Sequence, residues 1–217
     1  MYNRILRQKG EREVLPSSIY WIGGSACAGK STLAGMYAEK HGLQLYACDG
    51  RFDEHLQRVT AEQQPAMSRI SGLTMNEVFL TRDVKEQLDT YTACFQEDFS
   101  FVLDDLACMG EAPVVVEGNQ LLPALVAPLL RQADRAIWII PAEQFQLEHY
   151  SKRTWIQGIL QRTDEPEQAF RNWMKRDALF AEKVKQEALR LNLPLMEVDG
   201  RTSVQDNFER IERCFLL

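Results

Sequence analysis

The sequence predicts an α/β fold with a mostly parallel sheet and helices packed on it. Five short apolar runs, rich in β-branched and aromatic residues and bounded by Gly, Pro or Asp, have the pattern of buried strands. Helix-like stretches separate these runs, and this alternation favours parallel pairing of the strands. The chain has 217 residues, 45% of them hydrophobic, which is enough for one substantial core. We therefore expect a single domain over residues 1–217.

The predicted strands lead into residues that suit a ligand site. The strands are expected at residues 19–22, 43–48, 113–118, 135–141 and 193–200. Ligands of parallel α/β sheets bind beyond the carboxyl ends of the strands, so the residues that follow each run are the candidates. After the first, second, third and fifth runs these candidates are a glycine-rich stretch, Asp49, Glu117 with Gly118, and Asp199 with Gly200.

Periodic apolar residues predict three helical regions between the strands. These regions cover residues 31–41, 74–109 and 166–191. The second of them is expected to be one long or broken helix. The third carries the clearest apolar stripe, with Thr163 or Asp164 as its expected N-cap and Pro166 in its first turn.

The stretch GSACAGKS, residues 24–31, matches the pattern G-x-x-x-x-G-K-[ST] of a phosphate-binding loop. Glycines let the backbone curl around an anion with its N–H groups turned inward, and the following helix adds its positive dipole end. In this pattern Lys30 reaches the β- and γ-phosphates, and the Ser31 hydroxyl binds Mg²⁺. The predicted nucleotide-binding residues of the loop are Gly24, Ser25, Ala26, Cys27, Ala28, Gly29, Lys30, Ser31 and Thr32.

Two carboxylates at strand ends are candidates for chemistry on a phosphoryl acceptor. Asp49 can orient a hydroxyl group and take its proton, and the structural alternative is a turn residue. Glu117 is expected to hold Mg²⁺ through water or to contact the acceptor. Arg51 and Gly118, which lie beside these acids in the sequence, complete the predicted acceptor-binding set.

Other residues near these acids have weaker assignments. Asn119 and Gln120 are candidates for hydrogen bonds to the acceptor. His55 is expected on the surface of a helix. Trp155 and Trp173 are expected to pack in the interior rather than to stack on a ligand.

Basic residues are frequent between the fourth and fifth predicted strands. Guanidinium groups match the negative charge that phosphoryl transfer spreads over the phosphate oxygens, and a mobile segment that carries them would also exclude water. We therefore predict a lid at residues 152–166, with catalytic roles for Arg153 and Arg162. For Arg171 and Arg176, a functional role and a place on a solvated helix face remain equal alternatives.

The composition argues against several classes of function. The net charge is −6 without a basic block, which disfavours a nucleic-acid partner. The five cysteines include no Cys-x-x-Cys pair, so neither a disulfide framework nor a zinc site is indicated. No signal-peptide pattern and no run near the roughly 18 apolar residues of a membrane span occurs. We expect a cytoplasmic protein without a membrane partner, and the sequence is compatible with a homodimer.

The chain resembles P-loop small-molecule kinases of the adenylate-kinase-like fold, a group that includes nucleoside, nucleotide, shikimate and gluconate kinases and chloramphenicol phosphotransferase. The likeness rests on GGSACAGKST, LYACDG, VVVEGNQLLP and an arginine-bearing lid followed by LPLMEVDGRTSVQD. The resemblance implies a three-layer α/β/α P-loop NTPase with a five-stranded sheet in the order 2-3-1-4-5, and ATP with Mg²⁺. It also implies an acceptor-binding helical region at residues 50–110 and an adenine site near Asp199 and Gly200.

The predicted function is transfer of the γ-phosphoryl group of ATP to a hydroxyl group of a small molecule, such as a nucleoside, sugar, sugar acid or antibiotic. VEGNQLLP lacks the Asp-Gly-Phe-Pro-Arg-like stretch of nucleotide kinases and the glycine run of shikimate kinases, which disfavours those acceptors. EGNQLLP also resembles 2-phosphoglycerate kinase-like proteins, so a phosphorylated acid stays open beside a nucleoside monophosphate. The remaining alternatives are a toxin-like kinase acting on a nucleotide sugar and a P-loop ATPase switch that acts through protein interaction.

Overall fold

The computed structural model describes residues 15–16, 18–130 and 135–216. Residues 1–14, where the absence of a signal peptide was predicted, lie outside the described residues. The described strands are β1 (Ile19–Gly24), β2 (Gln44–Ala47), β3 (Val114–Glu117), β4 (Ala136–Pro141) and β5 (Leu195–Val198). They form one sheet in the order β2-β3-β1-β4-β5, and every neighbouring pair is parallel. The predicted fold class, strand order and all five strands are therefore confirmed.

Helices cover both faces of the sheet. They are α1 (Lys30–His41), α2 (Phe52–Leu56), α3 (Pro65–Ser71), α4 (Met75–Phe79), α5 (Val84–Cys108), α6 (Pro123–Val126), α7 (Glu143–Ser151), α8 (Thr154–Leu160), α9 (Pro166–Arg190) and α10 (Val204–Leu216). No helix among the described residues is both long and apolar enough to cross a membrane.

The two faces of the sheet bury different side chains because neighbouring residues of a strand point to opposite sides. On one face, Val116 and Trp138 join a core with side chains of α5 and α9. On the other face, Val115 and Ile139 join a second core with side chains of α1 and α10. The central strands are therefore buried on both sides, which explains their continuous apolar sequence.

The helical region at 74–109 is broken. Helix α4 ends at Phe79, and α5 begins at Val84 after Asp83, whose side chain accepts a hydrogen bond from the Glu86 N–H and so caps the new helix. Asp83 is a favourable N-cap residue because its side-chain oxygen accepts a hydrogen bond from one of the unpaired N–H groups at the start of the helix.

Helix α9 begins at Pro166 as predicted, but the predicted caps are wrong. The N-cap residue is Glu165, which makes no capping hydrogen bond. The Thr163 hydroxyl instead donates to the Leu160 carbonyl oxygen at 2.6 Å, at the end of α8. The backbone N–H of Asp164 donates to the Asn76 side chain, so both candidates are used to connect α8 to its neighbours.

Candidate active site

The loop between β1 and α1 has the backbone shape of an anion cradle. Cys27 and Gly29 both have left-handed backbone conformations, with φ values of 64° and 80°. Alternation of such conformations turns successive N–H groups toward one point, which is the geometry that binds phosphate. Gln146 of α7 is buried and donates from Nε2 to the Ala26 carbonyl oxygen at 2.9 Å, so a second helix braces the loop.

Lys30 is held at the centre of the site. Its Nζ donates to the Ser25 carbonyl oxygen and to the Asn119 Oδ1, both at 2.8 Å. Burial lowers the pKa of the Lys30 ammonium group, while the carboxylates of Glu117 and Asp49 act to raise it. The lysine therefore sits within the field of both predicted acids.

Glu117 lies at the last position of β3 with only 3% of its surface exposed. Burial raises the pKa of the Glu117 carboxyl, whereas Lys30 and a hydrogen bond from Ser31 oppose that rise. A buried carboxylate beside a serine hydroxyl at the phosphate loop is a suitable oxygen donor set for Mg²⁺ that is also bound by phosphates. No cluster of three or more metal-binding side chains occurs within the described ranges.

Gly118 allows the end of β3 to approach the turn that follows β2. A Cβ atom at this position would lie 2.6 Å from the Cβ of Cys48. That distance is far too short for two carbon atoms, so any other residue would push apart the strand ends that carry Glu117 and Asp49. The described contacts of Gly118 explain a role in spacing the site, and its predicted contact with the acceptor stays a prediction.

Two cavities flank the phosphate loop. The β5-side cavity, of about 660 Å³, lies between the loop, α7 and the segment after β5; its lining includes Gly29, Thr32, Phe145, Asp199 and Gly200. The α5-side cavity, of about 400 Å³, lies between the loop, the helices α2 to α5 and the helices α8 and α9. Arg153 lines both cavities, and it forms no ion pair among the described residues.

Asp49 faces the α5-side cavity from a short 3₁₀ turn, Cys48–Gly50, directly after β2. Its carboxylate makes no side-chain hydrogen bond to any described residue. Asp53, in the first turn of α2, lines the same cavity. Asp49 is thus exposed toward the cavity and close enough to Lys30 to affect the charge of the lysine.

Two of the predicted arginines, Arg51 and Arg162, lie outside both cavities. Arg51 forms an ion pair with Glu54 at 2.9 Å and lines a separate surface groove with Asp105 and Met109. Arg162 is exposed at the end of α8 and lines neither cavity. The structure therefore brings Arg153 to the phosphate loop, and the predicted site roles of Arg51 and Arg162 stay predictions.

A buried cluster around Arg176 forms the wall of the α5-side cavity. The guanidinium group donates to Asp177 Oδ1 from Nε at 2.9 Å and from Nη2 at 2.7 Å. It also lies over the rings of Tyr91, Phe79 and Trp173, at 4.2, 5.6 and 5.8 Å from the ring centroids. The other Asp177 oxygen accepts hydrogen bonds from the Tyr150 hydroxyl and the Trp173 indole N–H. Arg176 is therefore not on a solvated helix face.

The prediction of a surface position for His55 is wrong, since only 1% of its surface is exposed. Its Nδ1 lies 2.6 Å from Asp98 Oδ1, and its Nε2 lies 3.0 Å from Asp105 Oδ2. Burial disfavours the imidazolium ion, but the two carboxylates outweigh this and raise the pKa of His55. The tertiary contact with α5 places this residue in the interior, and nothing within the short helix α2 indicates it.

Comparison with known proteins gives a match at the level of fold. Neither family models nor curated proteins match the chain. A deoxyadenosine kinase from M. mycoides with bound dATP is 14% identical, with a TM-score of 0.50 over 93% of this chain and all of that chain. The chain has the fold of P-loop small-molecule kinases. A shikimate kinase from Acinetobacter baumannii in complex with shikimate is 19% identical over 94% of both chains, with a TM-score of 0.43.

This P-loop kinase fold contains site residues that the sequence analysis did not select. No sequence motif points to Tyr91 or Asp177, and for Arg176 the sequence allows a functional role and a solvated helix face equally. One signal was present in α9, where Trp173, Asp177 and Phe180 recur at steps of four and three residues. A charged residue in register with an apolar stripe is rarely buried without a partner, so this spacing points to a buried ion pair.

Proposed function

We propose that the protein is an ATP-dependent phosphotransferase that moves the γ-phosphoryl group to a hydroxyl group of a small molecule. The observation that carries this proposal is the position of the phosphate loop between two separate cavities, with Arg153 on the boundary of both. A protein that only binds or hydrolyses a nucleotide has no need for the second cavity. A transferase needs one cavity for the donor and one for the acceptor.

The β5-side cavity suits the nucleotide. Gly29 and Thr32 of the phosphate loop line it together with Asp199 and Gly200, so the loop after β5 and the cradle belong to the same concave surface. A nucleoside bound there would place its phosphates along the loop toward Lys30. The positive end of α1 and the loop N–H groups would stabilise those phosphates.

The α5-side cavity suits the acceptor, with Asp49 as the general base. The acceptor hydroxyl oxygen attacks the γ-phosphorus, the bond from this phosphorus to the β–γ bridging oxygen breaks, and ADP leaves. The hydroxyl proton passes to the Asp49 carboxylate, which forms no hydrogen bond with any described side chain. The Lys30 ammonium group would stabilise the charge on the transferred group, and Arg153 could do so from the cavity boundary.

Ser31 and Glu117 fit a Mg²⁺ ion that accompanies the nucleotide. When bound, this ion neutralises charge on the phosphates. The buried position of Glu117 and its hydrogen bond with Ser31 keep both oxygens at the loop, where they would orient the nucleotide. Helices α2 to α5 would form the acceptor-binding region at residues 50–110, and residues 152–166 would form a lid that brings Arg162 toward the phosphates.

The direct test is an acceptor screen in which ADP release and product mass are both measured. Nucleosides, sugars, sugar acids and aminoglycoside-like compounds would be offered with ATP and Mg²⁺. We expect slow ADP release without an acceptor, and faster release with a product 80 Da heavier than the right alcohol, about the mass of one phosphoryl group. Acceptor-independent ADP release that no compound raises, without any phosphorylated product, would favour an ATPase instead. The Lys30→Ala variant is the negative control.

A further inference from the structure

We propose that the acceptor is a neutral alcohol that carries a flat ring, bound against aromatic side chains of the α5-side cavity. This inference rests on the proposed function, because it names the substrate class of the same site. Three features of the cavity lead to it: an exposed aromatic face, a neutralised cation and an unpartnered amide.

The aromatic face is provided by Trp155 of α8. Its side chain lines the α5-side cavity and is 51% exposed, so the prediction that Trp155 packs in the interior is wrong. Such exposure is unusual for the largest apolar side chain. Behind it, Phe79 and Trp173 are stacked with ring centroids 4.2 Å apart, and Trp173 lies 6.0 Å from Trp155. Phe52 of α2 lines the same cavity. A flat ring placed on the exposed face of Trp155, in the cavity that Phe52 also lines, would cover apolar surface that is otherwise in water.

The charges of the cavity disfavour an anionic acceptor. Arg176 is buried in the cavity wall, but Asp177 neutralises it through two hydrogen bonds. Asp49 and Asp53 add two carboxylates to the lining. The remaining cation among the described lining residues is Arg153, which also borders the cavity proposed for ATP. A carboxylate or phosphate group on the acceptor would therefore meet more negative than positive charge.

The unpartnered amide belongs to Gln120, which is almost fully buried and lines the cavity. Its Oε1 forms no hydrogen bond with the described residues. The neighbouring Asn119 is already engaged, because its Oδ1 accepts from Lys30 and its Nδ2 donates to the Tyr91 hydroxyl at 3.2 Å. Because this oxygen is buried beside Gly118, the Gln120 side chain would have to turn toward the cavity to meet a polar substituent on the ring, which would give the buried amide the hydrogen bond that such groups normally make.

The test measures binding with matched probes that differ in one property. Adenosine and thymidine would be compared with their 5′-monophosphates, which add negative charge, and with ribose and deoxyribose, which lack the ring. The neutral alcohol 1-phenyl-1,2-ethanediol would separate a benzene-type ring from a nucleobase. Dissociation constants would come from tryptophan fluorescence with a non-hydrolysable ATP analogue present. We expect at least one neutral ring-bearing probe to bind about 10-fold or more tightly than its charged and ringless counterparts.

Equal or tighter binding of the monophosphates or the free sugars would overturn the inference, and so would the absence of binding by every ring-bearing probe. The same probes in the ADP-release assay separate the two proposals. Phosphorylation of gluconate or 2-phosphoglycerate would refute the neutral-ring inference and leave the kinase proposal intact. Tight binding of a ring-bearing alcohol that is never phosphorylated would refute the kinase proposal and leave the binding class intact.

Two sets of variants test the parts of the cavity separately. Trp155→Ala should weaken binding of the ring-bearing probe about 10-fold, whereas Trp155→Phe should retain most of the affinity. Leu189→Ala, at an exposed position outside the lining, is the control. The double variant Arg176→Gln/Asp177→Asn removes both charges and should change the preference for neutral over charged probes by less than about threefold, because the pair has no net charge. The inference would be contradicted if Trp155→Ala left the affinity for the ring-bearing probe unchanged. It would also be contradicted if the double variant changed the preference for neutral over charged probes more than tenfold.

Discussion

The two cavities beside the phosphate loop differ in the part of the chain that builds them. The β5-side cavity is formed largely by one local loop and by the segment after β5, and the groups that would face phosphate are mostly backbone N–H groups. The α5-side cavity is lined by side chains of seven helices that are spread over more than 120 residues of sequence, from Phe52 to Arg176. The first would recognise a feature that all nucleotides share, and the second would recognise one particular acceptor.

This difference explains where specificity can change. Backbone groups present the same donors whatever side chains are attached, so the shape of the loop depends on a few positions such as Gly29. The α5-side cavity depends on the identity of each aromatic and polar residue and on the packing of α9 against α5. Substitutions in the phosphate loop should therefore lower turnover with every acceptor. Substitutions in the α5-side cavity should lower turnover only with particular acceptors.

The largest effect is expected from Lys30→Ala, because Lys30 belongs to the phosphate loop, which lies between the two cavities. We expect turnover to fall at least about 10³-fold for every acceptor, since the variant removes the charge that would stabilise the transferred phosphoryl group. ADP release would be measured with saturating acceptor, and thermal unfolding would show that the fold is retained. If the loss of turnover differed between acceptors, the comparison of the two cavities would fail, because a phosphate-loop residue should affect every acceptor equally.

Arg153 and Arg162 provide a matched pair for the lid. Arg153→Ala should lower kcat about 10²-fold, because this guanidinium lines both cavities and is unpaired among the described residues. Arg162→Ala should have a smaller effect, since this side chain lines neither cavity. Steady-state kinetics at several ATP concentrations would measure both. Equal losses would show that the lid moves Arg162 onto the phosphates during turnover.

Asn119→Ala is expected to have a moderate effect of about 10-fold on kcat/KM for the acceptor. Asn119 links the two sides because it contacts Lys30 and the Tyr91 hydroxyl. Without this link we expect ADP release to depend less on the acceptor, which the ratio of ADP to phosphorylated product would show. Tyr91→Phe, which removes one of the two contacts, should give a smaller change in that ratio. An unchanged ratio in both variants would remove the coupling role.

The smallest effect on activity is expected at His55, which stabilises the contact between α2 and α5 beside the α5-side cavity. The pKa of His55 is raised in the folded state, so its contribution to stability is complete below the unfolded value of about 6.5 and is lost as the pH rises through the folded value. Near pH 6, His55→Ala should lower the free energy of unfolding by about 3–5 kcal/mol, because Asp98 loses its buried partner. Urea unfolding at pH 6 and pH 9 would measure this.

The control for that experiment is His149, which is exposed and forms no ion pair with the described residues, so its replacement should leave the pH dependence of stability intact. If His55→Ala unfolds with the same pH dependence as the unmodified protein, then the His55–Asp98 pair carries no charge.

The parts of the molecule that depend on local sequence could be predicted. The strand order, the phosphate loop and the strand-end positions of Asp49 and Glu117 follow from short motifs, because strand ends and loops fix those residues directly. The α5-side cavity could not be predicted in this way. Trp173 was expected to pack and does so, but it also lines the cavity, and its neighbour Arg176 became a cavity residue only through the contact of α9 with Tyr91.

The rate of phosphoryl transfer by the Asp49→Asn variant tests the central claim most directly. Asparagine keeps the size of the side chain but cannot take the acceptor proton. We expect unchanged affinity for ATP and a fall of about 10²–10⁴-fold in the rate of product formation, measured by mass spectrometry in a single turnover. Unchanged product formation in Asp49→Asn would contradict the account, because Asp49 would then not be the base for the hydroxyl acceptor.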